Sequence, residues 1–392
     1  MRTNRPFTFL ARLATLVILI GFSSFANAQS PQTPPQKGPG KVVVHPKFGG
    51  TILGFDIDQN GSEGLLSEFN TVGNNCPYAT ETFSRVTGKI VKVVSQGKGV
   101  NCETSEATWG IAGTSIGLVE HQHSAGIGNP LDTTEKTLNP LEQNQINATW
   151  TPPFDKNAYI GEVSHNQGTA INAYQVYDVK TQLTYIFGSD VAKNTFGPVL
   201  QIPYLIYAYI GLNTKTNIAV LANPTAPFGP SEIILANLTS GKTTSFDIGL
   251  GSGEIMGIAV DSEDDIADVA TFGDASVSFY DLKNKTGFSE VLPFIPQNCD
   301  DACTANDVEY DPIHKLFLVA QPLSSQQVNA NFSTIYVYNT RGDLLETLNG
   351  FQFTTARLDL FPVHIALHPS DRSGFVDITN NLGVGAIQSF TY

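Results

Sequence analysis

An all-β chain folded as a β-propeller is predicted by three observations. Three segments align without gaps: MGIAVD (256–261), NDVEYD (306–311) and VHIALH (363–368). Each is an apolar run ending in a turn, and each is followed by a second apolar run, IADVAT, LFLVAQ and GFVDI. With a fainter copy ending at Asn213, the anchor residues Asn213, Asp261, Asp311 and His368 lie 48, 50 and 57 residues apart. Short strands repeating at a period near 50 are the sequence signature of propeller blades.

The elements follow in order. The stretch 29–40 (QSPQTPPQKGPG) has nothing to bury and reads as a flexible lead before a single domain spanning 41–392. The first blade takes ILGFDID, GLLSEF and the paired run 79–94; the second takes WGIAGTS, IGLVEHQH and 133–152. A third is compressed around 159–188, with 173–188 as its outer pair. Outer pairs of the next three blades are 231–249, 276–293 and 333–350, where alternating Val, Ile, Tyr and Phe mark strands and Ser-Gly or Arg-Gly marks the turns. The last blade has HIALHP, GFVDI and GAIQSFTY and ends one strand short. KVVVHPKF (41–48) is spare, and adding it there closes the ring and removes an exposed sheet edge. The count is seven blades, or six if 159–188 belongs to a neighbour.

Residues 1–28 read as a signal peptide. Arg2, Arg5 and Arg12 form a basic start, Leu13 to Phe22 is an apolar run of ten, and Ala26-Asn27-Ala28 is a small-residue cleavage site. Ten apolar residues are too few for a span, which needs about 20. A secreted or periplasmic protein, cleaved after Ala28, is the expectation, with no membrane span. Removing three arginines and no acid takes the formal charge from −14 to −17, which argues against nucleic acid and anionic membrane surfaces as partners. Only 15% of residues are charged, against about 25% in ordinary domains, so Asn, Gln, Ser and Thr do much of the solvating, as suits short strands with polar turns.

Four cysteines, Cys76, Cys102, Cys299 and Cys303, fit an oxidising compartment and allow three pairings. Cys76–Cys102 with Cys299–Cys303 is favoured because each bridge then closes a local loop. A four-cysteine metal site needs short spacings at both ends, and only the C-x3-C end has one.

The patterns IAVD (258–261) and IYVYNTRGDLLETL (335–348) resemble those of secreted YVTN/NHL-type propellers and, more loosely, the gluconolactonase-like group. The resemblance covers nearly all of the chain after residue 28 and extends to exported bacterial propeller proteins. It implies a scaffold rather than a chemistry, since such folds host binding modules, lactonases and quinoprotein enzymes alike. Gluconolactonase-like enzymes hold a divalent cation with Glu, Asn and Asp, and matching Glu and Asn-Asp motifs are missing from this chain.

Several segments carry candidate chemistry. Gly113-Thr114-Ser115-Ile116-Gly117 matches G-x-S-x-G, but a nucleophile elbow needs a following helix and IGLVEH has strand character. Asp56, Asp58 and Asn60 begin like a calcium loop, with oxygen ligands at alternate positions. The closing Glu is displaced, however: Ser67 stands there and Glu68 follows it, so a hairpin turn competes with a calcium site. His121 and His123, in E-H-x-H, point the same way on a strand, as two metal ligands would. Four residues before the anchors stand Tyr209, Gly257, Asp307 and His364. Inner strands line the channel, so Tyr209, Asp307, His364 and the adjacent Asn306 form a candidate ligand set there.

Two functional classes follow. One is an exported, non-catalytic propeller that binds a small molecule, glycan or protein on its loop face. The alternative is a metal-dependent lactonase or hydrolase acting at the channel, with Ca²⁺ as the cofactor to test. Non-reducing peptide mapping should return Cys76 with Cys102 and Cys299 with Cys303. A Cys76–Cys299 or Cys76–Cys303 peptide would defeat the local-loop pairing.

Overall fold

The computed structural model describes residues 37–392 apart from 70–75, 100–102, 105–106, 112–115, 121, 124–135, 141–157, 167–170, 179–180, 191–192, 194, 204–208, 224–230, 248–253, 273–275, 294–304, 322, 325–332, 352–353, 356–363 and 380–384. The expected signal peptide, Cys102, Cys299, Cys303 and His121 lie outside the described residues, as do the side chains of Cys76 and His123.

Among the described residues, seven antiparallel sheets of three to five strands follow one another along the chain. Their first strands are Thr51–Ile57, Ala107–Ile111, Ala158–Asn166, Ile210–Asn213, Glu254–Asp261, Asp307–Asp311 and Ile365–His368. Each of these contacts the next, and the seventh contacts the first, so the inner strands make a closed ring. This is the expected β-propeller. Among the described residues no helix is long and apolar enough to cross a membrane.

The third blade departs from the sequence reading. Ile171–Asp178 and Leu183–Asp190 are its second and third strands, not its outer pair. Ala158–Asn166 is inside them, and Thr195–Phe196 and Leu200–Ile202 both pair along Leu183–Asp190 outside. The fourth strand is split, so its period-two signal is too short to read, and the strong pair 173–188 looks outermost.

The ring closes through the N-terminal strand. Gly38–Val44 pairs antiparallel with Gly385–Thr391, joining Gly38 to Thr391 and Val44 to Ile387 across a bulge between Pro39 and Val43. Pairing therefore takes in Gly38, Pro39 and Gly40, which read as lead in the sequence. A Pro is tolerated because this is an edge strand with a bulge. Two buried carboxylates of the first blade then hold the segment that follows. Glu68 accepts the N–H of Phe48 (2.6 Å) and of Gly50 (3.0 Å), and Glu81 accepts that of Lys47 (3.0 Å). Glu68 and Glu81 face the same way because Leu66 pairs with Glu81 and Glu68 with Ala79.

Apolar packing lies between blades rather than in one central mass. One cluster joins Ile186, Val220, Ile258 and Val269 across the third to fifth blades. Others link the fifth to the sixth through Phe279 and Phe317, the sixth to the seventh through Val337 and Val376, and the seventh to the first through Phe375 and Phe83.

The turns after the inner strands explain the anchor residues. Asn213 Oδ1 accepts the N–H groups of Lys215 and Thr216; Asp261 Oδ1 accepts those of Glu263 and Asp264; Asp311 Oδ1 accepts those of Ile313 and His314. The side chain thus mimics a backbone acceptor and folds the hairpin. Four residues after each anchor the backbone is left-handed, at Asn217, Asp265, Lys315 and Arg372 (φ between 53 and 57°).

Deleting 41–48 should lower the melting temperature of the whole domain cooperatively, whereas deleting 29–36 should leave it nearly unchanged. Val44→Ala, a fully buried position in the closing strand, should cost about 2 kcal/mol by denaturant titration. Equal melting temperatures for the two deletions would contradict ring closure.

Candidate ligand site at the channel

The inner strands begin at the opposite end of the blades from the anchor turns, and several carry an extra residue there. Register skips one position at Leu53, Gly110, Gly161 and Met256, in the first, second, third and fifth blades. In the sixth blade Asn306 takes the same place: its N–H reaches Ala320 O at 2.9 Å, and the next residue, Asp307, is also opposite Ala320. A bulge of this kind re-aims side chains at a strand end.

Asp307 bridges two blades. Its Oδ1 accepts the N–H of Val308 (2.8 Å) and its Oδ2 accepts the N–H of Ile365 in the seventh blade (2.7 Å). One peptide unit away, Asp377 Oδ1, from the second strand Ser373–Thr379, accepts the N–H of His364 (3.1 Å). The two carboxylates therefore grip consecutive amides of the strand start 364–365. Burial pushes the Asp307 carboxyl up to about 7, against the pull of the two N–H donors. Burial raises Asp377 well above the usual carboxylate range, and the charge of Asp307 adds to the rise. Gly257 of the fifth blade backs this group, since a Cβ there would come within 3.0 Å of Asp307 Oδ1.

Of the sequence-predicted channel set, Asn306, Asp307 and His364 come together. Tyr209 precedes the fourth blade's inner strand and packs against the apolar cluster of the third to fifth blades. Asp377 is an addition: the visible signal was an acid inside an apolar run, GFVDI, with no indication of which blade it would face. Glu68, Glu81 and Asp268 are further buried acids of the same kind, and burial raises the Asp268 carboxyl well above the usual carboxylate range.

The calcium-like segment forms the first blade's hairpin turn. Asp56 Oδ1 accepts the N–H of Ile57 (2.7 Å), and Asp58 Oδ1 accepts that of Asn60 (2.9 Å). Gly61 packs against Asp58, where a Cβ would sit 2.1 Å from Oδ2. Ser67 and Glu68, at the closing positions, lie in the strand Glu63–Phe69, and Glu68 is committed to Phe48 and Gly50. Among the described residues no group of three or more His, Cys, Asp or Glu side chains is placed to hold a metal ion. His123 lies in a two-residue strand whose backbone pairs it with Glu103. Ile116–Glu120, which takes in the last two residues of the G-x-S-x-G segment, is a strand, as its sequence indicated.

No family model matches the chain, and no curated protein matches its sequence. Solved structures do match. A chain of the mitotic checkpoint complex aligns over 99% of both chains at 11% identity with a TM-score of 0.57. U3-55K aligns over 90% of this chain and 99% of its own at 12% identity with a TM-score of 0.59. Both are WD40-type propellers, and at these identities the likeness establishes the fold.

The raised acids set the sign of the pH dependence. Glu81 is pushed up to about 7 by burial, partly offset by the Lys47 N–H and reinforced by the charge of Glu68. The folded state thus binds more protons than the unfolded chain between the ordinary carboxylate range and about 7. Stability is fully present below that window and is lost as pH rises through it. Melting temperature should fall from pH 5 to pH 8, and Glu81→Gln should recover on the order of 2 kcal/mol at pH 8. Asp307→Asn should likewise flatten the profile. A wild-type melting temperature that rises over this range would contradict the assignment.

Proposed function

We propose that the protein is an exported, non-catalytic β-propeller of the YVTN/NHL-like type that binds a ligand or protein partner on its loop face. The observation that carries this reading is the use of the channel carboxylates. Asp307 has an N–H donor on each oxygen and Asp377 has one; the Ile365 donor ties the sixth blade to the seventh, the Val308 donor lies in Asp307's own strand and the His364 donor at the start of the seventh blade. Groups spent on holding strands in place are poor candidates for metal ligation or nucleophile activation. The repeat wording, the basic and apolar N-terminus and the cysteine content support export. The structural neighbours support a scaffold role at the level of fold alone.

Purified protein lacking residues 1–28 should show no turnover of a panel of lactones and carboxylic esters with added Ca²⁺, Mg²⁺ or Zn²⁺. Metal-dependent turnover abolished by Asp307→Asn would replace this reading with the lactonase one. In the native host, the chain recovered outside the cytoplasm should begin at Gln29.

A further inference from the structure

The chain holds two Asn-Gly pairs, Asn60-Gly61 and Asn349-Gly350. Asparagine is a chemically labile residue, and a following glycine exposes it further. With no Cβ in the way, the glycine nitrogen is free to approach the side-chain carbonyl carbon of the asparagine. That approach closes a five-membered ring and needs the backbone to leave extended geometry. As sequence the two pairs are alike; their surroundings separate them.

Asn349 is held in a ladder. It lies in the outer strand Leu344–Phe351 of the sixth blade, pairs with Thr334 and accepts the Thr334 hydroxyl on Oδ1 (3.0 Å). The ring-closing strand packs over the same stretch, Gly38 against Asn349 and Pro39 against Gly350. Asn60, in contrast, is exposed in the hairpin turn between Thr51–Ile57 and Glu63–Phe69, outside both strands. Its own N–H is fixed on Asp58 Oδ1 (2.9 Å), which holds the turn. The Gly61 N–H meets Asp58 O only at 3.3 Å, longer than an ordinary backbone hydrogen bond. Glycine is required at 61, because a Cβ there would come within 2.1 Å of Asp58 Oδ2. The turn thus keeps an exposed asparagine in front of an obligatory glycine whose nitrogen is weakly held.

We propose that Asn60 is a site of spontaneous deamidation, with the Gly61 backbone nitrogen as nucleophile and water as the second reactant. Solvent base removes the Gly61 amide proton, and the nitrogen attacks Asn60 Cγ. The new C–N bond forms, the bond from Cγ to the side-chain nitrogen breaks, and ammonia leaves with a proton returned by the solvent. Water then opens the resulting succinimide at either carbonyl, giving aspartate by one route and isoaspartate by the other. One amide and one water become one carboxylate and one ammonium ion, with no redox step, so the turn gains a negative charge. The turn is also a support: Ser62 O accepts the N–H of Arg85 (2.8 Å), and Arg85 Nη2 lies 3.5 Å from Asp371 Oδ2 of the seventh blade. Isoaspartate lengthens the main chain by one carbon here, where the first blade meets the seventh. This chemistry stands apart from the loop-face reading and from the channel.

The test is timed incubation of the protein lacking residues 1–28 at pH 7.5 and 37 °C, with peptide mapping by mass spectrometry and isoaspartate-specific methyl labelling. The Asn60 peptide should gain one mass unit and split into aspartate and isoaspartate forms. It should do so roughly tenfold or more faster than the Asn349 peptide, whose strand pairing and side-chain hydrogen bond must open first. In guanidinium chloride the two peptides should react at similar rates, because only the folded chain distinguishes them. Asn60→Gln, which keeps the backbone N–H on Asp58, should remove the first signal and leave the second unchanged, with the fold verified by far-UV circular dichroism. Equal rates for the two pairs in the folded protein, or an Asn60 that survives folded while reacting in denaturant, would overturn the proposal.

Discussion

Ring closure is the constraint on which the rest of this structure depends. A blade buries its two faces only against its neighbours, as the clusters between successive blades show. An open ring would leave two apolar faces and a sheet edge in water, so the last blade must meet the first. The chain does this with its most distant segments, pairing Gly38–Val44 with Gly385–Thr391. Glu68 and Glu81 then fasten the connection into the first blade by accepting three backbone N–H groups. Such a contact is non-local, and its loop-closure entropy is offset only once the intervening blades are in place.

A second set of contacts ties the blades at the anchor-turn end. Asn213 donates through Nδ2 to Asp265 (2.8 Å), Thr214 N–H reaches Ser262 Oγ (2.8 Å), and Tyr392 donates its hydroxyl to Asp311 Oδ2 (2.8 Å). The exposed pairs Lys215–Glu263 and Lys315–Asp264 follow the same path, though exposed ion pairs contribute little each. The acidic run DSEDD (261–265) is thus part of a turn-to-turn chain. At the other strand end the sixth blade's bulge sets Asn306 and Asp307 both opposite Ala320, and Asp307 reaches across to the seventh blade.

Much of the fold was legible because it repeats. Alternation and turn residues located the blades, and the spare strand KVVVHPKF foretold closure. The third blade was misassigned by one strand because its outer partner is broken into Thr195–Phe196 and Leu200–Ile202. The channel set was legible in part. Alignment placed Asn306, Asp307 and His364 together, since equivalent inner-strand positions converge on one axis. Asp377 was hidden, because it comes from a second strand and reaches the site through the register of Ser373–Thr379 against Ile365–His368. Glu68 stood out only as the displaced closing residue of a calcium-like loop, and strand pairing puts it with Glu81 on one buried face.

By itself the sequence determined the period of the repeats, the strand character of each, and the Asn or Asp that folds each hairpin after Asn213, Asp261 and Asp311. These are local properties, set by side-chain alternation and by hydrogen bonds between residues two or three apart. Only the tertiary structure decided which carboxylates lose water and what they face. Asp56 and Asp307 are both acids of an inner strand, yet Asp56 serves its own blade's turn region, whereas Asp307 reaches the N–H of Ile365 58 residues away. Burial and cross-blade partners depend on how the ring brings distant strands together, and no local pattern encodes that.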